Sequence, residues 1–308
     1  MLRFAALRLA RAGLTIALVV SFAFVVLRLS GDPAQIIMSP EAPAEAVAAF
    51  RRDWGLDRPI WVQYLRYFAA ILHGDLGQSM RDGRPAIAVV AERIPATLLL
   101  AVPALLLKIG LGVPAGVYAA LHRNTLPDRL VMAAAVAGFT VPSFVLGLVL
   151  VLLFAVRLGW LPSGGQDSWR SLVLPVITLG LGGAGILARF TRSAMLDVLG
   201  QPYIRTASAK GVPWAAVVRG HALPNAAIPT VTVIGFMVGS LIAGAVVVES
   251  VFSWPGVGRL LVIAVANRDL AVVQCILLLV AGTMVAANLA IDLLYGVLDP
   301  RLRAVAAR

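Results

Sequence analysis

Residues 95–118 read PATLLLAVPALLLKIGLGVPAGVY, and one of them, Lys108, carries a charge. A helix needs about 20 apolar residues to cross a hydrocarbon core. With no water there to satisfy exposed backbone groups, such a run must be helical. Pro103 and Pro114 fall inside it, which membrane helices tolerate when neighbours satisfy the freed carbonyls.

Outward from this run, similar stretches recur at 9–29, 132–156, 172–190, 227–249 and 272–296. The expected fold class is therefore an all-α membrane protein with six transmembrane helices. The 308 residues are 60% hydrophobic and 13% charged, against about a quarter charged in soluble domains. Mean hydropathy is +0.91, more than one globular core buries. An unusually apolar soluble protein is the alternative, and the bilayer-length runs argue against it. Ala12–Leu27 behind Arg3, Arg8 and Arg11 has some features of a signal peptide. Its length, and the absence of a small-residue cleavage site in Arg28–Pro33, favour an uncleaved first span. The GxxxG pairs Gly112/Gly116 and Gly235/Gly239 read as close packing within one bundle.

The net charge of +11 would point to nucleic acid in a soluble protein. Here the charges sit in loops and at helix ends, so membrane lipid is the expected partner and nucleic acid is not. With a cytoplasmic N-terminus, the inside segments 1–11, 119–131, 189–226 and 297–308 hold thirteen Lys and Arg against Asp128, Asp197 and Asp299. The segment 30–94 has seven arginines and eight acids. By the positive-inside rule the chain is N-in and C-in. Residues 30–94 are too polar to span and read as a small external cap. In it, Ala44–Trp54 and Pro59–His73 have helical apolar spacing, separated by a turn at Trp54–Pro59. Cys275 stands alone, excluding an intrachain disulfide and a cysteine-built metal cluster. His73, His122 and His221 have no ligand spacing, so no metal site is expected.

The cytoplasmic loop 191–226 is the most informative stretch. Gly200-Gln201-Pro202 breaks the fourth span, and Tyr203–Lys210 follows as a short helical run. Pro202 suits its first turn and Gly211 its left-handed exit. Pro213 starts a second helix, with Trp214, Val217, Val218 and His221 on one apolar face, and Pro224 ends it. A first helix about 12 Å long is marginal alone. It should dock into a groove on a cytoplasmic partner.

The spacing Ala207-x3-Gly211-x9-His221-x-Leu223-Pro224 resembles the EAA loop of ABC importer permeases. Arg205 and Thr206 stand where that pattern has Glu and Ala, and His221 takes an apolar position. These departures fit the dipeptide/oligopeptide (peptide/nickel) branch. The resemblance extends along the chain through Trp54–Pro59, Val62–Tyr67, Gly74–Ser79, Arg93–Thr97, Val247–Gly258, Asp292–Tyr295 and Asp299-Pro300. It implies a type I ABC importer permease-like fold in the bacterial cytoplasmic (inner) membrane. It implies as partners a second homologous permease subunit, two ABC ATPase subunits and an extracytoplasmic substrate-binding protein. Coupling to the ATPases would fall to Tyr203, Arg205, Thr206, Ala207, Ala209, Lys210, Gly211, His221, Leu223 and Pro224. A surface helix held by anionic lipid through Arg205 and Lys210 is the competing reading. The implied cargo is small peptides, with nickel chelates or glutathione as alternatives for the same machine.

No Gly-x4-Gly-Lys-Ser/Thr phosphate loop occurs. The chain is expected to be a transport subunit, not an enzyme, with no catalytic residue and no cofactor of its own. ATP and magnesium would belong to the partner ATPases. Lys108, Glu249 and Asp292 are the polar candidates in or near spans, for the pore or for structure. Glu249 and Asp292 are expected near span ends, within reach of the interface. Lys108 should snorkel, pair or line a polar cavity. A proton-coupled secondary transporter would need inverted repeats and midplane carboxylates, and neither is evident.

Overall fold

The computed structural model describes residues 2–29, 31–38 and 41–298. The helices are α1 (Leu2–Leu29), α2 (Ala34–Ile37), α3 (Ala44–Asp53), α4 (Ile60–Leu72) and α5 (Ala86–Ala91). Next come α6 (Ile94–Leu121), α7 (Leu126–Thr140), α8 (Ser143–Leu150) with a π-helical extension Val151–Arg157, α9 (Arg170–Leu199) and α10 (Pro202–Ala209). Then follow α11 (Trp214–Val217), a π turn Val218–Ala222, α12 (Leu223–Gly239), α13 (Leu241–Val251), α14 (Val257–Ala266) and α15 (Leu270–Leu298). Among the described residues the nearest thing to a strand is the isolated bridge between Gln78 and Pro85.

Among the described residues, five stretches are long and apolar enough to cross a membrane: Ala10–Leu29, Ala86–Leu121, Arg170–Leu199, Trp214–Gly239 and Leu270–Ile291. The pair Leu126–Thr140 and Ser143–Arg157 makes a sixth if counted as one span, but it is bent by 97°. The continuous span expected at 132–156 is thus broken. Proline disfavours helical backbone in the residue before it, and Val141 is extended (ψ 120°) ahead of Pro142. The span expected at 227–249 is also divided, because α12 ends at Gly239 and α13 starts afresh at Leu241.

The chain divides into two compact units. The first is Met1–Thr97 with Pro255–Thr283. In it α4 lies on α1: the Ser21 and Tyr64 hydroxyls are 2.8 Å apart, and the Phe24 ring meets Tyr64 edge-on and stacks on Tyr67. Asp32, just beyond α1, pairs with Arg51 in the last turn of α3 at 2.5 Å. The Gly74–Ser79 stretch closes a turn in which Ala86 N–H bonds Gly77 O at 2.9 Å. Ser79 donates to buried Asp269 between α14 and α15. Val257 N–H bonds the Thr97 hydroxyl at 2.8 Å.

The second unit is Leu98–Trp254 with Met284–Arg308. Helix α9 is its hub, packed by α7, α8, α12 and α13. Glycines let α6 and α9 approach closely. A Cβ on Gly112 would sit 2.8 Å from the Ala184 carbonyl oxygen and 2.9 Å from Leu187 Cβ, closer than any side chain tolerates. Asp128 in the first turn of α7 pairs with Arg192 of α9.

Candidate coupling site

Helix α10 forms as its residues dictate. Pro202 occupies the first turn, and Gly211 follows with φ +78°. That left-handed backbone suits glycine, which has no Cβ to clash. Gly211 N–H bonds Ser208 O at 3.0 Å, and Val212 N–H bonds Ala207 O at 3.3 Å. Orphan carbonyls of the last turn are thereby satisfied.

One face of α10 is held by the chain itself. Ile204 is buried among Ala120 of α6, Ala194 and Met195 of α9, Val217 of α11, Val218 and Ala222 of the π turn, and Ala226 of α12. Half-buried Ala207, Val212 and Leu223 complete this apolar patch. The opposite face is exposed: Tyr203, Arg205, Thr206, Ala209, Lys210 and Gly211 all present to solvent. Arg205 reaches back to Gly200 O, at the end of α9, at 3.3 Å, and Thr206 to Pro202 O at 3.0 Å. A short helix, marginal by itself, is thus anchored on one side and open on the other.

The second half of the loop departs from expectation. Val217 and Val218 are buried, but Trp214 is 54% exposed and His221 is exposed. Pro224, also exposed, does not end the helix. Proline lacks an N–H and its ring crowds the carbonyl four residues earlier, here that of Gly220. The backbone widens into the π turn Val218–Ala222, where Leu223 N–H bonds Val218 O, and continues as α12. The extra residue in that turn rotates the following face, so Ala222 and Ala226 take the buried positions in place of His221. Asn225 Nδ2 bonds the His221 carbonyl at 2.7 Å.

Ile204 is the anchor that motif spacing overlooked. Its signal was the i, i+3 pairing with Ala207 on a helix otherwise polar or small. Behind the anchor lies an apolar cavity of about 240 Å³ lined by α6, α9 and α12, including Val117, Met195 and Leu223. The Thr191 hydroxyl lines it and has no hydrogen-bond partner among the described residues.

The other candidates are scattered. Lys108 is midway along α6, its stem passing close to Gly183 of α9, with no ion-pair partner among the described residues. Glu249 is fully buried within the chain, in the last turn of α13, where Trp254 N–H bonds its backbone carbonyl at 2.8 Å. The backbone of Asp292 belongs to α15, but its side chain lies outside the described residues, as does Asp299-Pro300. Among the described residues no three His, Cys, Asp or Glu side chains gather to hold a metal ion.

Comparison with known proteins identifies the family of the chain. The family described as "Binding-protein-dependent transport system inner membrane component" matches residues 112–304, and its N-terminal counterpart matches residues 1–101. The chain is 46% identical over 290 residues to the glutathione transport system permease protein GsiC of Salmonella paratyphi A (strain ATCC 9150 / SARB42), covering 94% of each chain. It is 45% identical over 275 residues to that of Escherichia coli (strain K12), covering 89% of this chain and 90% of the other. Its fold is similar to a chain of the MetNI methionine ABC transporter in an inward-facing conformation. The TM-score is 0.60 at 20% identity, with 70% of this chain and 98% of the other covered. An amino acid ABC transporter gives 0.52 at 18% identity, with 67% and 92% covered. The chain belongs to the binding-protein-dependent inner-membrane component family, the permeases of ABC importers.

Proposed function

We propose that this chain is one half of the translocation pore of an importer for small peptides, and that α10 couples the pore to ATPase subunits. The observation that carries the reading is the two-sidedness of α10: Ile204 fixes it to α6, α9 and α12, while Tyr203, Arg205 and Lys210 stay exposed. A partner engaging the exposed face would move the helix ends that Ile204 touches. Competition from anionic lipid rests on Arg205 and Lys210 alone, and does not use the exposed Tyr203.

In this reading the chain contributes path and coupling and has no cofactor of its own. ATP and magnesium are held by two ABC ATPase subunits, a second homologous permease completes the pore, and an extracytoplasmic binding protein delivers cargo. Glutathione, itself a tripeptide, is favoured within the small-peptide class by the 46% identity to permeases named for its transport. Lys108 is a candidate polar residue of the path, since a lysine midway along a span is costly unless it meets water or an anion. Glu249, buried in α13, is assigned a structural role.

The test is site-directed cross-linking. Cysteine at Tyr203 or Arg205, in a Cys275→Ala background, should cross-link to the ATPase subunit in the assembled complex, with yields that change with bound nucleotide. Cross-linking at Ile204 but not at Tyr203 or Arg205 would refute the reading.

A further inference from the structure

The 30–94 segment carries the charge balance of a water-exposed cap, but α4 within it does not. Its thirteen residues contain one charge, Arg66. At 100° per residue, Ile60, Trp61, Tyr64, Leu65, Tyr67, Phe68, Ala69, Ile71 and Leu72 fill a little more than half of its circumference. Gln63, Arg66 and the following His73 fall in the remaining arc. Only part of the apolar arc is used inside the protein, where Tyr64 and Tyr67 meet Phe24 and Ser21 of α1. Phe68 and Ile71 are half-buried, but four large residues are bare: Ile60 is 56%, Trp61 67%, Leu65 58% and Leu72 84% exposed. The polar arc faces elsewhere, with Gln63 Nε2 bonding Arg58 O at 2.7 Å in the preceding turn.

Depth along α1 indicates what covers the bare side. Ser21 and Phe24 precede Leu29, the end of the span Ala10–Leu29, by eight and five residues. At 1.5 Å per residue they lie about 12 and about 7.5 Å inside that end. An interfacial helix buries its apolar face about 5–10 Å into the headgroup–acyl boundary. On α1 itself, Phe22, Val25 and Leu29 are exposed at the same level, so apolar side chains of both helices are bare at one depth. Nearby α3 makes the contrast, carrying Glu45, Arg51, Arg52 and Asp53 in ten residues. A helix of thirteen residues is about 20 Å long, too short to span.

We infer that α4 is an interfacial membrane helix, lying in the leaflet where α1 ends and covered on its Trp61–Leu65–Leu72 side by phospholipid acyl chains. With the N-terminus inside, that is the outer leaflet. The 30–94 segment is then moored in the bilayer at α4, and its charged part, α3, stands in water. This placement is independent of how α10 acts.

Spin labels test it in the full complex in proteoliposomes. Single cysteines at Leu65, Leu72, Arg66 and Arg52, with Phe22 as the lipid reference, are introduced over Cys275→Ala. Collision rates are measured with oxygen, which partitions into lipid, and with a water-soluble nickel chelate. Labels at Leu65 and Leu72 should favour oxygen at least fivefold more than the label at Arg52, and match Phe22. Labels at Leu65 as open to the chelate as Arg52 would overturn the inference, and so would labels shielded from both reagents, which would mean a protein partner. A phospholipid with a photoreactive group in its acyl chain checks the unsubstituted chain: it should label residues 60–72 and spare 44–53. Failure to label 60–72 counts against the proposal.

Discussion

Asp128 accepts two hydrogen bonds from one guanidinium, from Arg192 Nε at 2.6 Å and Nη2 at 2.7 Å. A third comes from the Asn124 backbone N–H at 2.9 Å. Asp128 is 3% exposed, and the pair joins the first turn of α7 to α9 within one turn of Ala194 and Met195, which hold α10.

Breaking such a pair from one side leaves a poorly solvated charge behind. Asp128→Asn should cost about 2 kcal/mol, the scale of charged hydrogen bonds, softened because Arg192 is partly exposed. Arg192→Met should cost a similar amount, and the double variant less than the sum of the two. Thermal unfolding of the purified complex measures all three. Full additivity would show that the two side chains act separately.

Gly211 has open space where a Cβ would go, so substitution there strains only the backbone. An L-residue in the left-handed region costs about 1–2 kcal/mol, and Asn tolerates it better than most. Gly211→Val should therefore lower cargo uptake per ATP several-fold, with Gly211→Asn close to wild type. Uptake by the complex in proteoliposomes, divided by phosphate released, decides it. Equal ratios for Val and glycine would remove Gly211 from coupling.

Two glycines on α6 should respond oppositely to alanine. At Gly112 the methyl meets the Ala184 carbonyl and Leu187, and overpacking of this kind costs about 1–3 kcal/mol. At Gly110 nothing lies within 4 Å, and alanine gains up to about 1 kcal/mol of helix propensity. Detergent thermostability should fall for Gly112→Ala and hold or rise for Gly110→Ala.

Asp269 and Ser79 fasten the turn before α5, with Met80 N–H adding a bond to Asp269 at 3.3 Å. Asp269→Ala would leave both donors unsatisfied, a loss of about 1–3 kcal/mol each when buried. The turn should then open locally. Limited proteolysis at Arg81 or Arg84 should speed up at least tenfold, with the rest of the chain cleaved at unchanged rates.

What the sequence disclosed depended on how local the physics was. Spans such as 95–118 and 272–296 were legible because length and apolarity alone set them. Pro202 and Gly211 bracketed α10 because each acts on its own backbone. Prolines inside apolar runs were harder: Pro142 breaks its helix by 97°, whereas Pro224 is absorbed by a π turn. The difference lies in neighbouring turns that hydropathy does not describe. Burial of Ile204 draws on that same π turn, whose Val218 and Ala222 pack in its cluster. The Asp128–Arg192 pair spans 64 residues, and its only trace in the sequence was an acid among basic residues at a span end. Membrane contact at α4 was hidden by averaging its thirteen residues with the charged ones around them.

The proposed coupling has this permease move cargo only when driven through its loop by ATPases. Its most direct test is uptake of a labelled tripeptide, glutathione, into proteoliposomes holding this chain, a second permease, the ATPases and the binding protein. Concentrative uptake is expected with hydrolysable ATP, and none with a non-hydrolysable analogue or without the ATPases. Concentrative uptake by this chain alone, without ATP, would contradict it.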